Sequence, residues 1–361
     1  MVLGASVLLG LTSSTATAAP CHGVRIRSEV SWADGPCGTV VDKSQQSTVH
    51  LEYGIARGDA CEGEDEVPGA GRFQLFAMCR DNSPLEFMPH WITWADVDVA
   101  TTAGAVVLGD VDADEVLEDP ASGWSDCFVR INDDDARIPL TEADAANGVD
   151  WDLTDVTPGV YTLHGYTWDP YFNVWSERTG FLKIHEGDPD AVGPAVAVSS
   201  GEKVLYPDET ARIEGCTDAA AGATMDVLWS TVAEADWQLY RAGLPVTGET
   251  FAFDLDVPPE VLAASESPDF RGQSLMLRID IHADGRTRTA YMNDLIVVVK
   301  RDSGSGSVDA SGPDMTTTAE DAADDDAGGC ACRATDRPIP MGGAWLVLVV
   351  LGRVRRRGAR Q

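Results

Sequence analysis

Apolar and polar residues alternate along most of this chain, and runs at helical spacing are nearly absent. In FAFDLDV, Phe251, Phe253, Leu255 and Val257 share one parity, while Ala252, Asp254 and Asp256 take the other. LMLRIDI repeats the pattern with Leu275, Leu277, Ile279 and Ile281, and Asp284-Gly285 then supplies the positive-φ pair of a tight hairpin. Such period-two runs, broken by Gly, Pro and Asp clusters, predict antiparallel strands. With AVAVS, ARIEGC, MDVLWS and LIVVVK they give about seven strands over residues 193–301, enough for one β-sandwich.

The preceding stretch reads the same way. GVRIRSEVSW places Val24, Ile26, Val30 and Trp32 on one face, and VHLEYGI does so with Val49, Leu51, Tyr53 and Ile55. WITWADVDV is expected to be a strand presenting Trp91, Thr93, Ala95, Val97 and Val99, and CFVRI and PGVYTLHGYTW follow. In the last, a bulge at Gly165 would bring Tyr161, Leu163, Tyr166 and Trp168 to one side. Residues 20–187 therefore form a second β-sandwich, read as one elaborated unit in preference to two split near residue 105. The fold class is all-β, with two sandwiches in tandem.

Residues 193–301 resemble an immunoglobulin-like domain. Cys216 ends a strand and Trp229 follows thirteen residues later, where such domains pack a tryptophan against a bridging disulfide. The second bridge cysteine is missing, with Leu277 or Ile279 in its place, so Cys216 is read as a small buried hydrophobe. PGVYTLHGYTW is similar to the late strands of fibronectin type III and immunoglobulin-like sandwiches, where a Pro-Gly turn leads into a tyrosine-bearing strand.

Composition and charge then say where the protein works. Net charge is −33; residues 328–361 contribute seven arginines against one acid, or +6, leaving −39 on the remainder. A body so acidic repels phosphate backbones, so nucleic acid is excluded as a partner. Residues 1–19 carry an apolar run over 2–11 and a small-x-small pattern at Ala16 and Ala18, which reads as a signal peptide although no Lys or Arg precedes the run. Eight cysteines fit an oxidising compartment. Six of them (Cys21, Cys37, Cys61, Cys79, Cys127 and Cys216) precede the tail, and spacing does not select a pairing. Cys21 with Cys37 and Cys61 with Cys79 are the short closures; Cys127 has no obvious local partner.

Residues 302–329 change character, with eight acids, no base and no aromatic residue: a disordered, self-repelling spacer. Residues 330–361 add two cysteines, an uncharged run over 338–352 and an arginine cluster over 353–357. As a helix the uncharged run would reach about 22 Å, short of the roughly 30 Å of bilayer hydrocarbon, and Pro338 and Pro340 spoil its first turn. Gly329-Cys330-Ala331-Cys332-Arg333, the short apolar segment and the terminal arginines together resemble the MYXO-CTERM type of C-terminal sorting signal found in myxobacteria and their relatives. The resemblance implies removal of the hydrophobic end and attachment at the outer-membrane surface through a lipidated cysteine, Cys330 first and Cys332 second. It also implies two partners, a sorting protease and a lipid-transfer machinery.

Chemistry is sparse. No H-E-x-x-H, G-x-S-x-G, S-x-x-K or phosphate-cradling glycine loop occurs, and the six histidines stand singly. No cofactor is implied beyond Ca²⁺, for which Asp110, Asp112 and Asp114 supply alternate carboxylates, though Ala stands where an EF-hand needs its closing Glu. The other constellation is aromatic: Tyr171, Phe172 and Trp175 either project to stack on a glycan or protein ligand, or pack beneath their loop as core. The expected function is non-enzymatic binding, adhesion or envelope structure at the cell surface. The competing expectation is a secreted hydrolase whose active site is assembled from dispersed residues.

Overall fold

Strands form where the alternation places them, as a computed structural model of the chain shows for residues 29–55, 72–132, 138–139, 145–168 and 173–300. In the first half, these are β1 (Val30–Trp32), β2 (Gly38–Asp42), β3 (Thr48–Leu51), β4 (Tyr53–Ile55) and β5 (Arg72–Met78). They are followed by β6 (Phe128–Arg130), β7 (Ile138–Pro139), β8 (Val149–Asp152), β9 (Gly159–Trp168) and β10 (Val174–His185). The principal sheet runs β2-β10-β9-β5-β6, with β7 also on β5; β1 pairs β4 and β3 pairs β8. β5 lies beside β9, so strands on either side of residue 105 share this sheet.

This sheet is covered on both faces. Leu75, Tyr161, Leu163 and Leu182 pack against Val30, Leu51, Tyr53 and Trp151 of the two small sheets. Phe76, Met78, Tyr166 and Trp168 pack instead against Ile92, Leu117 and Trp124 of the long β5–β6 connection. The bulge expected at Gly165 is therefore absent: β9 keeps unbroken register with β5, and Tyr161 with Leu163 serves one face while Tyr166 with Trp168 serves the other. Gly165 is needed for another reason, since a Cβ there would come within 2.5 Å of the Val30 side chain. The irregularity in pairing lies in β10, between Arg178 and Leu182. There Gly180 has φ of 112°, and a Cβ would meet the Cys37 carbonyl.

The strand expected over residues 91–99 is a correction. Helix α1 (Trp94–Thr102) forms there, because Thr93 caps the Asp96 amide while the Asp96 carboxylate accepts from the Thr93 amide. This reciprocal capping box satisfies two otherwise orphaned donors, and Val97 and Ala100, three apart, then share the buried face.

The second half contains β11 (Ala195–Val198), β12 (Lys203–Leu205), β13 (Thr210–Asp218), β14 (Thr224–Thr231) and β15 (Gln238–Pro245). It continues with β16 (Thr250–Asp256), α2 (Pro259–Ser265), β17 (Gly272–Ala283), β18 (Arg286–Tyr291) and β19 (Ile296–Val299). A three-stranded sheet, β11-β13-β16, faces the β12-β19-β17-β14-β15 sheet, which β18 extends from β17. Ile213, Phe253 and Leu255 meet Val227, Trp229, Leu277, Ile279 and Val298 in one core, as the alternation requires. Asp284 and Gly285 both take positive φ, the hairpin geometry expected of that pair.

Among the described residues, no strand pair joins those up to 185 to those from 195 onward, yet they belong to one compact unit. What joins the halves is partly covalent. Cys37 is bonded to Cys216, 179 positions away, and Cys79 to Cys127. These bonds overturn the short closures of Cys37 with Cys21 and of Cys79 with Cys61; Cys21 and Cys61 themselves lie outside the described residues. They also overturn the reading of Cys216 as a core hydrophobe. On β13 the core parity belongs to Ala211 and Ile213, so Cys216 faces the first half, among Val160, Phe181, Ala195 and Ala197. Beside this contact the fully buried Lys183 ammonium binds the Asp218 carboxylate at 2.5 Å. Arg286 ties down the linker by donating to the Ala191 carbonyl.

The two disulfides belong to an oxidising, extracytoplasmic environment. Among the described residues no helix is long and apolar enough to cross a membrane. Replacing Cys37 and Cys216 together by Ala should remove about 2–4 kcal/mol of unfolding free energy, read by urea titration. An unchanged midpoint would mean that the junction does not depend on this bond.

Candidate functional site

Where the two halves meet, the packing leaves a cleft of about 750 Å³, within the range of small-ligand pockets. One wall is the run leading through β1, from Glu29 to Gly35; a second is the Trp175–Thr179 portion of β10; Ser199, Asn293 and Asp294 close it from the second half. Cys37 lines it too, so the inter-half disulfide fixes the distance between its walls.

The chemistry of the cleft comes from β10. Ser176 and Arg178 stand opposite Gly165 and Leu163, on the face towards β1, whereas Trp175 and Glu177 stand opposite Tyr166 and His164 on the other face. Glu177 is half-buried, and loss of hydration pushes its pKa up to about 8; the nearby Asp81 charge raises it further, while a hydrogen bond from Asn293 opposes the rise. Glu177 is thus mainly protonated at neutral pH and can donate a hydrogen bond. Asp81 is buried, and burial raises its pKa to about 6. It is held below a still higher value by the Arg288 charge and by hydrogen bonds from the Tyr291 amide and Arg288. The Arg288 guanidinium reaches Asp81 at 3.3 Å across the junction and also donates to the Cys79 carbonyl.

Arg178 is the contrasting case. Its guanidinium is half-buried, burial lowers its pKa, and it forms no ion pair or hydrogen bond with any described residue. It lies over Gly35, where a Cβ would come within 2.5 Å of its Nη2. It borders both the main cleft and an adjoining one of about 240 Å³. Two further polar atoms near the junction, Asn82 Oδ1 and Arg288 Nε, are buried without a protein partner.

The residues singled out from sequence fare unevenly. Trp175 sits in β10, not on a projecting loop: its indole N–H donates to the Pro89 carbonyl at 2.9 Å, and its ring packs on Tyr166 and Phe76. It is mostly core, with one edge on the cleft. Tyr171, Phe172, Cys330 and Cys332 lie outside the described residues. Asp110, Asp112 and Asp114 are exposed on or beside two separate 3₁₀ turns, Leu108–Asp110 and Ala113–Glu115. Among the described residues, no three carboxylate, imidazole or thiolate groups gather as a metal site would require. His164 is buried against Thr162 at 3.0 Å, and burial lowers its pKa to about 3.

Glu177, Arg178, Asp81, Arg288 and Asn293 were not anticipated. The available signal was the Glu-Arg pair inside VWSERTGF, a charged dipeptide between the apolar pairs Val174-Trp175 and Phe181-Leu182. Comparison with known protein families and with curated proteins finds no match to this chain.

Because the folded pKa of Glu177 exceeds its ordinary 4.5, the folded state holds this proton more tightly than the unfolded state. The resulting stabilisation is fully present below pH 4.5 and is lost as pH rises through about 8. Asp81 acts in the same sense between 3.8 and about 6. Glu177→Gln should therefore flatten the stability loss between pH 6 and 9 by roughly 1–3 kcal/mol, measured by urea denaturation across that range. An identical slope in wild type and variant would show that Glu177 titrates normally.

Proposed function

We propose that this protein is an exported, surface-attached binding protein whose ligand enters the junction cleft. The observation that carries the reading is the cleft itself: residues of both halves line it, and the Cys37–Cys216 bond holds the walls together. A preorganised cavity limits the ordering cost of binding, and this one offers amide, hydroxyl and carboxyl groups beside the edges of Trp32 and Trp175. Attachment follows the tail reading, with cleavage of the hydrophobic end and lipidation at Cys330 or Cys332.

Mature protein recovered from its native envelope should show binders on peptide and glycan arrays, and Ser199→Trp, which fills the cleft from the second half, should abolish them without lowering the melting temperature. Binding that survives the filled cleft puts the ligand elsewhere. The raised carboxyl pair Asp81 and Glu177 favours a second reading, a hydrolase using Glu177 as proton donor. Conversion of an array ligand to cleaved product, lost in Glu177→Gln, would establish that reading in place of simple binding.

Intact mass of the same material tests the attachment. The expected species lacks the arginine-rich end and carries an acyl group on a tail cysteine. A terminus still holding residues 353–361, with both thiols unmodified, would reject it.

A further inference from the structure

Two independent features of the cleft point to one class of ligand. The first is a free strand edge. Over Val174–Arg178, β10 pairs with β9 alone, because β2 joins it only at Phe181–His185. Nearby, the Trp32 indole donates to the Ser176 carbonyl at 3.3 Å. The Leu75 carbonyl accepts from the Ile131 amide, so the main chain of Leu75 turns away from β9 and that of Gly165, opposite it, turns to β10. Ser176 and Arg178 therefore bond back to β9, and the main chains of Trp175 and Glu177 face away from it. An edge of this kind accepts an added strand through main-chain hydrogen bonds.

The second feature is the Arg178 guanidinium, at the end of that edge, cationic and without a counter-ion. Its planar fork matches a carboxylate in two parallel hydrogen bonds. The acids nearest to hand do not fill the role. Glu29, Asp34 and Asp294 are exposed at the rim, and Glu177 projects from the opposite face of β10. Those rim acids repel a polyanion, yet they complement a peptide with basic side chains.

We propose that the cleft takes the C-terminal end of an extended peptide, paired along the Val174–Arg178 edge, with its terminal carboxylate on Arg178. This rests on the junction cleft being the binding site and names what it binds. Upstream Lys or Arg side chains would then lie near Glu29, Asp34 and Asp294.

The test uses two random hexapeptide libraries displayed on beads, one with free C-terminal carboxylates and one amidated, probed with the full mature protein. Hits are expected in the free-acid library, enriched in Lys and Arg before the last residue. For the best free-acid hexapeptide, Arg178→Gln should weaken binding at least tenfold and erase the preference for free acid over amide. Gly35→Ala keeps the charge but displaces the guanidinium, and should weaken the same hexapeptide without changing its amidated form. Bound hexapeptide should slow hydrogen exchange at the Trp175 and Glu177 amides. Equal hits in both libraries, or an Arg178→Gln protein that melts normally and binds normally, would overturn the proposal. Cleft-dependent glycan hits with no peptide hits would overturn it while leaving the cleft as the binding site; peptide hits insensitive to Ser199→Trp would remove both.

Discussion

The structure turns on how two β-sheet assemblies, which share no hydrogen-bonded strand pair among the described residues, are held against each other. Sheets usually unite through ladders or through a broad apolar face. Here the apolar contact is small, centred on Phe181, Ala195 and Ala197, and it surrounds the Cys37–Cys216 bond. The rest of the junction is ionic: Lys183 on Asp218, and Arg288 on Asp81. Burying such pairs costs desolvation energy that their attraction only partly returns, so they are poor glue by themselves. A covalent bond closing a loop of 179 positions supplies what the polar surfaces do not, by restricting the unfolded chain. The oxidising compartment is thus a condition of the architecture and not merely its address.

Holding polar surfaces together has a further effect. Groups brought to the junction lose water without always gaining a partner, and this produces the unusual electrostatics of the cleft. Asp81 keeps its arginine but is buried; Glu177 has only an amide; Arg178 has nothing. Had the halves met through leucines and valines, none of these residues would be perturbed. The weak point of the junction as a piece of packing is therefore where its ionisation is most perturbed.

How much of this could be read from the sequence depended on the range of the interaction. Alternation is local, and Phe253, Leu255, Leu277 and Ile279 fall in the core as their parity requires. The Asp284-Gly285 hairpin is local too. Residues 91–99 failed because Trp91, Thr93, Ala95, Val97 and Val99 alternate well enough to suggest a strand, while the Thr93–Asp96 capping box that starts the helix depends on two polar side chains. In β9 the error was to assume one buried face; Tyr166 and Trp168 are core because a long connection covers the second face. Cys216 and Arg178 were beyond local reading altogether. Their partners, or lack of them, are set by packing between segments far apart in the chain.

The same reasoning explains why Glu177 and Arg178 can be adjacent in sequence and still keep separate roles. Side chains of neighbouring strand residues point to opposite faces, so this pair cannot neutralise itself within β10. A helix would have allowed each to seek a partner one turn away along its own surface. Placed in a strand with one edge open, the acid is pushed into the junction, where burial keeps its proton on. The base is left over Gly35, facing two adjoining cavities. Period-two geometry, the feature that made the fold legible, is therefore also what splits the charged dipeptide into a hydrogen-bond donor on one side of the cleft and an uncompensated cation on the other.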